Sequence, residues 1–326
     1  MEEDAGETVA GPQIKPAFSL CKTPENFEGA ALSDDSVLML TDSNEIELWT
    51  FGGDSTTKSF NLQPSACCSL STGCWVIGFE SGYMTEFERD LALVRSYRVP
   101  GATKAHNGSV TKVMEIGGDG DTGNYIMSFG SDNVVRFWGK GGDLRHEFAP
   151  KFKLTQLCCS SHLAFLVDDH KSVYVIDLLS FSEKRFPVVA AVKSIATIAF
   201  GGAALAVLED HSVALMSRTE VVEAFRFKEN DFMASVLPLT VEEDTGLSTY
   251  ACVDTLGRLT LRALDNITLD LGMQGKIIAS SPCFLLVEKA GKLSIYSRDD
   301  LVVLALDSIP ETCSASQNVK KCLQNM

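Results

Sequence analysis

The chain repeats a unit about every 41 residues, and this repeat limits the possible folds more than any other feature of the sequence. Each unit has an apolar run, a polar turn of two to four residues and a strand in which apolar and polar residues alternate. Seven such units can be traced. Their alternating strands end 34 to 51 residues apart, at Trp49, Phe87, Trp138, Ile176, Met216, Arg262 and Tyr296. Repeats of this length indicate one supersecondary unit that stacks on copies of itself.

The alternation has a period of two, which is typical of strands and not of helices. Val173 and Val175 show it, as do Leu293 and Ile295. The second unit departs from the pattern, because Glu86 stands where the others have an apolar residue, and its register is left open. A period near 41 is that of four-stranded propeller blades. The sequence therefore predicts an all-β fold, a seven-bladed, WD-repeat-like β-propeller with four-stranded blades.

Ring closure in such a fold removes exposed sheet edges, and it needs a strand from one terminus in a blade made by the other. The segment Ile14 to Leu20 is the candidate for this strand. Because no linker rich in Pro, Gly and Ser interrupts the units, one domain is expected over 13–308. Residues 1–12 are predicted to be a disordered acidic tail, and residues 309–326 a tail or a short helix.

Charge and hydropathy exclude several classes of protein. The net charge of −15 repels phosphate backbones, so we expect no nucleic-acid partner. No run of 18 apolar residues is present, so no membrane span or membrane partner is expected. The first residues lack the basic and apolar regions of a secretory signal. These observations favour a globular protein of the cell interior.

The sequence offers no strong metal or cofactor motif. Its ten cysteines contain no CxxC pair and its five histidines are scattered, so reduced core thiols are the better interpretation. Gly118, Gly120 and Gly123 match GxGxxG, but a strand pattern follows where a nucleotide site needs a helix. That segment is interpreted as a loop. The prediction is no metal and no cofactor.

The third unit carries four polar residues in a suggestive spacing: His106, Ser128, Asp132 and Trp138. One interpretation is a Ser/His/Asp catalytic triad. The other is a structural network that links the strands of one blade. Since no GxSxG nucleophile elbow accompanies the set, the structural network is favoured and no catalytic residue is predicted.

Arg226 and Lys228 stand beside two phenylalanines in the segment EAFRFKEND of a strongly acidic chain. They are candidates for a small site that binds a phosphate or a carboxylate, because arginine pairs such groups bidentately. The alternative is a solvated strand face on which Glu223 and Glu229 pair with them.

Two resemblances follow from these segments. The stretch GSDNVVRFW resembles the WD repeat. The stretches FSLCKTPENFEGAALSDDSVLMLTDSNEIELWTF, LTQLCCSSHLAFLVDDHKSVYVIDLLSF and AVLEDHSVALMSRTEVVEAFRFK resemble the first, fourth and fifth blades of the Bub-type mitotic-checkpoint propellers and their relative in messenger-RNA export. The likeness is low in identity but extends over nearly the whole chain.

The resemblance implies a non-enzymatic adaptor. Proteins of that family bind a segment of a checkpoint kinase or kinase-like partner and read a phosphorylated threonine motif on a kinetochore scaffold. The phosphate-contacting arginine of the family falls at Arg226, with Lys228 beside it, whereas a second family arginine falls at Ser212. A divergence of this kind fits the propeller of an unconventional kinetochore, such as the kinetoplastid type, better than that of a standard one. A monomeric propeller in a hetero-complex is implied, in the nucleus at the kinetochore and in the cytoplasm when unbound.

Two other functions share the predicted fold. A generic WD-repeat scaffold of another complex, in messenger-RNA export, trafficking or ubiquitin ligation, predicts no preference for phosphate. A propeller enzyme requires polar catalytic groups or metal ligands around the central channel. The sequence shows no clustered Asp, Glu and His set that supplies them.

Overall fold

Short strands joined by tight turns make up the protein. The structure is a computed structural model and describes residues 16–20, 27–117, 125–160, 162–197, 202–210, 212–226, 233–241, 248–254, 258–263, 268–281 and 283–301. These residues form 28 strands in four-stranded antiparallel sheets, with one helical turn at 298–301. The described residues include no helix that is long and apolar enough to cross a membrane.

Six sheets each consist of four strands that follow one another in the chain, while β1 (Phe18–Ser19) belongs to a further sheet. Sheet 1 contains β2 (Phe27–Leu32), β3 (Ser36–Thr41), β4 (Glu45–Thr50) and β5 (Ser55–Ser59). Sheet 2 contains β6 (Pro64–Ser69), β7 (Trp75–Phe79), β8 (Met84–Phe87) and β9 (Leu93–Tyr97). Sheet 3 contains β10 (Val110–Ile116), β11 (Tyr125–Gly130), β12 (Val135–Trp138) and β13 (Leu144–Phe148).

The second half of the chain continues this order. Sheet 4 contains β14 (Leu154–Ser160), β15 (Leu163–Asp168), β16 (Ser172–Asp177) and β17 (Ser182–Pro187). Sheet 5 contains β18 (Val192–Thr197), β19 (Ala204–Leu208), β20 (Ser212–Met216) and β21 (Val221–Arg226). Sheet 6 contains β22 (Met233–Val241), β23 (Ser248–Asp254), β24 (Arg258–Ala263) and β25 (Thr268–Gln274).

The last three strands, β26 (Lys276–Ser280), β27 (Phe284–Lys289) and β28 (Lys292–Ser297), form sheet 7 together with β1. In this sheet Phe18 pairs with Ile295, and the backbone N–H of Leu20 donates to the carbonyl of Leu293 at 3.2 Å. The predicted closing strand within 14–20 is thus confirmed. The predicted tails, 1–12 and 309–326, lie outside the described residues.

The sheets are arranged radially. Neighbouring first strands contact each other, from β26 and β2 through β6, β10, β14 and β18 to β22. The second strands, such as β3, β7 and β15, are buried on both faces because each sheet is covered by its neighbours. The fourth strands β5 and β17 are largely exposed and form the rim. This order of burial is that of a propeller, in which radial repetition protects the sheet edges.

Among the described side chains, apolar groups fill the spaces between sheets 7 and 1 and between successive sheets from 1 to 5. Trp138 of sheet 3 is fully buried and packs in one cluster with Met84 and Tyr97 of sheet 2, and its indole meets the Tyr97 ring edge-on at 5.7 Å. Truncating a buried tryptophan of this kind to alanine costs about 3–5 kcal/mol. The alternating strand that ends each sequence unit is the third strand of its sheet, as β12 is in sheet 3.

The register left open in the second unit is that of an ordinary third strand. β8 pairs with β7 and β9, with Met84 opposite Gly78 and Tyr97. Glu86 is buried at an inward position because Tyr97 Oη donates to its Oε2 at 2.5 Å and Arg95 Nε lies 3.1 Å from the same oxygen. A paired carboxylate therefore replaces an apolar residue without shifting the strand.

One backbone conformation recurs in the turns between second and third strands. A residue with positive φ occupies the same place in five sheets: Asn44, Gly82, Asn133, Lys171 and Gly291, with φ between 57 and 87°. Glycine and asparagine adopt this left-handed region at the lowest cost. Gly82 also has no room for a Cβ atom, which would collide with the carbonyl of His106. These turns fix the register of the strands that they join.

Candidate functional site

The surface of interest is the upper face, defined here as the side with the turns between second and third strands and the connections from one sheet to the next. The antiparallel order of four strands places these two sets of loops on one side. Backbone hydrogen bonds join them, such as Asp169 N to Lys153 O at 2.9 Å and Val188 N to Lys171 O at 2.9 Å. Loops held by a rigid scaffold are common places for binding residues.

The four polar residues of the third unit meet just below this face. His106 Nε2 lies 2.8 Å from Ser128 Oγ, which also accepts a hydrogen bond from Trp138 Nε1 at 2.8 Å. His106 Nδ1 lies 3.0 Å from Asp132 Oδ1. Asp132 Oδ2 in turn accepts from the backbone N–H of Asn107 at 3.0 Å. The chain of contacts links the connection before β10 to β11, to the following turn and to β12.

Two further residues extend this network. Arg136 on β12 places Nη1 3.1 Å from Asp132 Oδ2 and 2.8 Å from His106 Nδ1, and its Nε donates to Glu147 Oε2 at 2.8 Å. Gly130 makes space for the set, because a Cβ atom there would collide with the His106 ring and the Asp132 carboxylate. Sheet 3 therefore carries polar contacts from its first connection to its outermost strand.

Burial and charge keep His106 neutral and Asp132 ionised. Burial lowers the pKa of His106 below its usual 6.5, although Asp132 acts in the opposite direction. For Asp132, burial alone raises the pKa, but hydrogen bonds from the Asn107 backbone and from His106 outweigh it, so the net pKa is lowered. A neutral imidazole can lie between the Asp132 carboxylate and the Arg136 guanidinium, as the distances from His106 Nδ1 to both groups show.

The geometry gives the Ser128 hydroxyl no access to a substrate. Ser128 and Trp138 have no exposed surface and His106 only 2%. The Ser128 oxygen already contacts both the imidazole and the indole. Polar groups that satisfy each other inside a low-dielectric core make a rigid unit. The arrangement can hold strands together, but it cannot present a nucleophile to solvent.

Sheet 4 also links its strands through buried polar contacts, but it uses different residues. Asp168 ends β15 at the position that Gly130 has in β11, and its carboxylate is fully buried. It accepts hydrogen bonds from the backbone N–H groups of His170 and Ser172, both at 2.9 Å, and from Tyr174 Oη at 3.1 Å. A buried aspartate thus takes the place of the histidine and turn aspartate of sheet 3.

The two predicted phosphate-binding residues lie at the end of β21. Arg226 is the last residue of that strand, on the upper face, and pairs across the ladder with Ser212. Ser212 is buried and donates from Oγ to Asp210 Oδ1 at 2.6 Å. Lys228 lies outside the described residues. The structure thus places Arg226 directly opposite the position where the resembling family has its second arginine.

Sequence reasoning missed Arg136, Glu147, Asp168 and Tyr174. A guanidinium that follows an aspartate by four residues is a weak signal in a strand, because its partner Glu147 lies on another strand. Asp168 is one of two adjacent aspartates before the third strand, and nothing in this dipeptide distinguishes a buried carboxylate from an exposed turn residue. Gly130 and Asp168 occupy equivalent positions in their sheets. This equivalence is not visible in the sequence, because the two units are too dissimilar to be aligned residue by residue.

The remaining sequence candidates hold no described site. Gly118, Gly120 and Gly123 lie outside the described residues. Within the described part of the chain, no group of three His, Cys, Asp or Glu side chains is placed to hold a metal ion. Burial raises the pKa of the Cys67 thiol to about 12 and that of Cys159 to about 12, so both are poor nucleophiles at neutral pH.

Comparisons with known proteins identify the fold but no family. A scan against protein-family profiles and a search of curated proteins find no match. Two similar solved structures are both of BBS1N in complex with ARL6DN. The crystal soaked with mercury has a TM-score of 0.67 and 9% identity, covering 88% of this chain and 97% of that chain. The crystal soaked with lead has a TM-score of 0.65 and 10% identity, covering 91% of this chain and 97% of that chain.

Solved chains that match this structure number 1584, so the likeness defines an architecture and not a partner. The comparisons give no support to the Bub-type family or to a kinetoplastid-type kinetochore as the source of the chain. What they show together with the strand order is an all-β propeller with four-stranded blades, similar to a domain seen in complex with a protein.

Proposed function

We propose that this protein is a non-enzymatic adaptor whose upper face binds protein partners. The observation that carries the proposal is the burial of the Ser128, His106 and Asp132 set, whose hydrogen bonds are used up inside sheet 3. Because these groups are enclosed, the function belongs to the surface of the propeller. The similar structures support a binding role, since both hold BBS1N with a protein named ARL6DN.

The finer proposal is that Arg226 reads a phosphorylated motif. It ends β21 next to the connection that leaves sheet 5, so it belongs to the upper face. Opposite it, Ser212 supplies no charge and its hydroxyl is already bonded to Asp210. Arg226 is thus the cation of this cross-strand pair, with Lys228 two residues further along the chain. Arginine pairs with phosphate bidentately, which suits such a role.

In the checkpoint role that the sequence resemblance implies, the adaptor carries a kinase or kinase-like partner to a phosphorylated kinetochore scaffold. The propeller is a monomer within that hetero-complex, in the nucleus at the kinetochore and in the cytoplasm when unbound. One face then has two ligands: a segment of the kinase-like partner and the phosphorylated scaffold motif.

Affinity capture from dividing and non-dividing cells tests the proposal, with wild-type protein, Arg226→Glu and Lys184→Glu as baits. Lys184 is an exposed cation on the rim strand β17, so its reversal changes the net charge equally at another place. We expect all three baits to recover a kinase-like protein. The kinetochore scaffold is expected with wild type and Lys184→Glu from dividing cells, and to be lost with Arg226→Glu.

A generic scaffold in messenger-RNA export, trafficking or ubiquitin ligation is the second candidate. The observation that favours it is Ser212, which stands where the resembling family has an arginine. This alternative predicts one unrelated complex in all three captures, in both cell populations and unchanged by Arg226→Glu. That result overturns the checkpoint role and leaves the adaptor role.

A further inference from the structure

A cationic and aromatic cluster lies on the upper face between sheets 3 and 4. Phe152, in the connection between these sheets, stacks on the His170 ring with centroids 3.9 Å apart. Lys151 Nζ and Arg185 Cζ each lie 5.6 Å from the centre of the Phe152 ring. We call these four residues, Lys151, Phe152, His170 and Arg185, the Phe152 patch.

The loop that carries Phe152 is held in place on both sides. Asn133 in the turn of sheet 3 donates from Nδ2 to the carbonyl of Phe152 at 3.0 Å and accepts from the backbone N–H of Leu154 at 3.0 Å. On the other side, the N–H of Asp169 donates to the carbonyl of Lys153 at 2.9 Å. A surface loop anchored by both neighbouring turns loses little conformational freedom when it binds a ligand.

Arg185 is also preorganised. Its Nη2 donates to Ser172 Oγ at 2.8 Å and lies 3.6 Å from Asp168 Oδ2, and its guanidinium also packs over the Tyr174 ring, 5.5 Å from the ring centre. The side chain is nevertheless 49% exposed. Arg185 is thus an ion-pair partner of the buried Asp168 carboxylate, which also accepts three hydrogen bonds from other groups. The guanidinium is held in one orientation while half of the side chain faces solvent.

The charge around the patch opposes that of the chain. Lys151, Lys153, Lys171 and Arg185 carry four positive charges here, against the three carboxylates of Asp168, Asp169 and Glu183, whereas the whole chain carries −15. Val189 is 78% exposed and follows Val188, whose backbone N–H donates to the carbonyl of Lys171 at 2.9 Å, so it offers an apolar contact on the same face. Cations around an aromatic ring and beside an apolar side chain match a peptide with acidic and aliphatic residues.

We propose that the Phe152 patch is a docking site for an acidic peptide segment of a protein partner, with Arg185 and Lys151 as the carboxylate-binding residues. The site is separate from Arg226, which lies in sheet 5, and it does not depend on phosphate recognition there. It adds a second contact point to the upper face, in the sector of sheets 3 and 4.

Fluorescence anisotropy tests the proposal with full-length protein and a labelled ten-residue peptide of Glu, Asp and Leu. The same peptide with Gln and Asn in place of the acids, and a ten-nucleotide oligothymidylate, serve as competitor probes. Arg185→Gln is expected to weaken binding at least about tenfold, since it removes a hydrogen bond between two charged groups. Lys151→Glu is expected to do the same, and Phe152→Ala to weaken binding about threefold through the lost ring contacts.

Lys184→Glu is the matched control, because Lys184 precedes Arg185 on β17, points to the other side of the strand and is exposed. We expect it and Arg226→Glu to leave peptide binding within twofold of wild type. All variants are first compared by thermal melting, and Lys151→Glu, whose side chain is exposed, keeps the test valid if Arg185→Gln destabilises the sheet. Equal weakening by Lys184→Glu, unchanged binding by Lys151→Glu, or preference for oligothymidylate overturns the proposal.

Discussion

Replacing Ser128 with alanine tests the interpretation of the buried polar network as a structural unit. The hydroxyl contacts His106 Nε2 and Trp138 Nε1, each at 2.8 Å, and all three residues are buried. The variant leaves two buried polar groups without their partner. Each such group costs about 1–3 kcal/mol, so we expect the free energy of unfolding to fall by about 2–6 kcal/mol.

Thermal melting measures this effect, and a loss of about 2 kcal/mol corresponds to a decrease in Tm of about 3 °C for a domain of about 300 residues. Ser96→Ala is the matched control, because Ser96 is exposed on β9 and its replacement is expected to change stability by less than about 0.5 kcal/mol. A double-mutant cycle with Trp138→Phe adds a second measure. The double variant should cost less than the sum of the single variants by about 1 kcal/mol.

An unchanged Tm for Ser128→Ala refutes the reasoning, since it means that the buried contacts contribute nothing to stability. Additive effects of Ser128→Ala and Trp138→Phe refute the specific contact between the hydroxyl and the indole.

Three further predictions concern the whole domain. Deleting residues 13–22 removes β1 and the buried Leu20, so Tm should fall strongly, whereas unchanged melting contradicts ring closure by β1. The unfolded chain binds a proton at His106 more readily than the native one, whose pKa lies below 6.5. Stability from this group is therefore present above pH 6.5 and lost as the pH falls below it, and His106→Gln should flatten that part of a Tm-against-pH curve. Iodoacetamide at pH 8 should modify exposed Cys283 before Cys67, as read by mass spectrometry, because burial raises the pKa of Cys67 to about 12; equal rates contradict the burial.

The repeat pattern was enough to predict the all-β propeller and its third strands. The period of two at Val173 and Val175 is real because these side chains pack towards sheet 5, while Tyr174 and Ile176 pack towards sheet 3. The closing strand was predictable because a ring needs one, and a strand from the first residues pairs with β28 as expected. Glu86 left the register of the second unit open. Its partners Tyr97 and Arg95 are on the following strand, so no neighbouring residue in the sequence indicates that the carboxylate is paired and buried.

The site was less accessible to sequence reasoning. The spacing of His106, Ser128, Asp132 and Trp138 pointed to one blade, but the contribution of Arg136 depends on the approach of β12 to the connection before β10. The Phe152 patch brings together residues from a connection, a turn and a rim strand that are up to 34 positions apart. No periodic pattern marks such a meeting, because its residues come from loops whose positions depend on the whole fold.

Binding of a phosphothreonine peptide library tests the central claim most directly. The library has random residues around one fixed phosphothreonine, and its twin has threonine at that position. We expect immobilised wild-type protein and Lys184→Glu to retain the phosphorylated library over its twin, and Arg226→Glu to lose this preference. Equal retention of the two libraries by wild type, or an unchanged preference in Arg226→Glu, contradicts phosphate reading by Arg226.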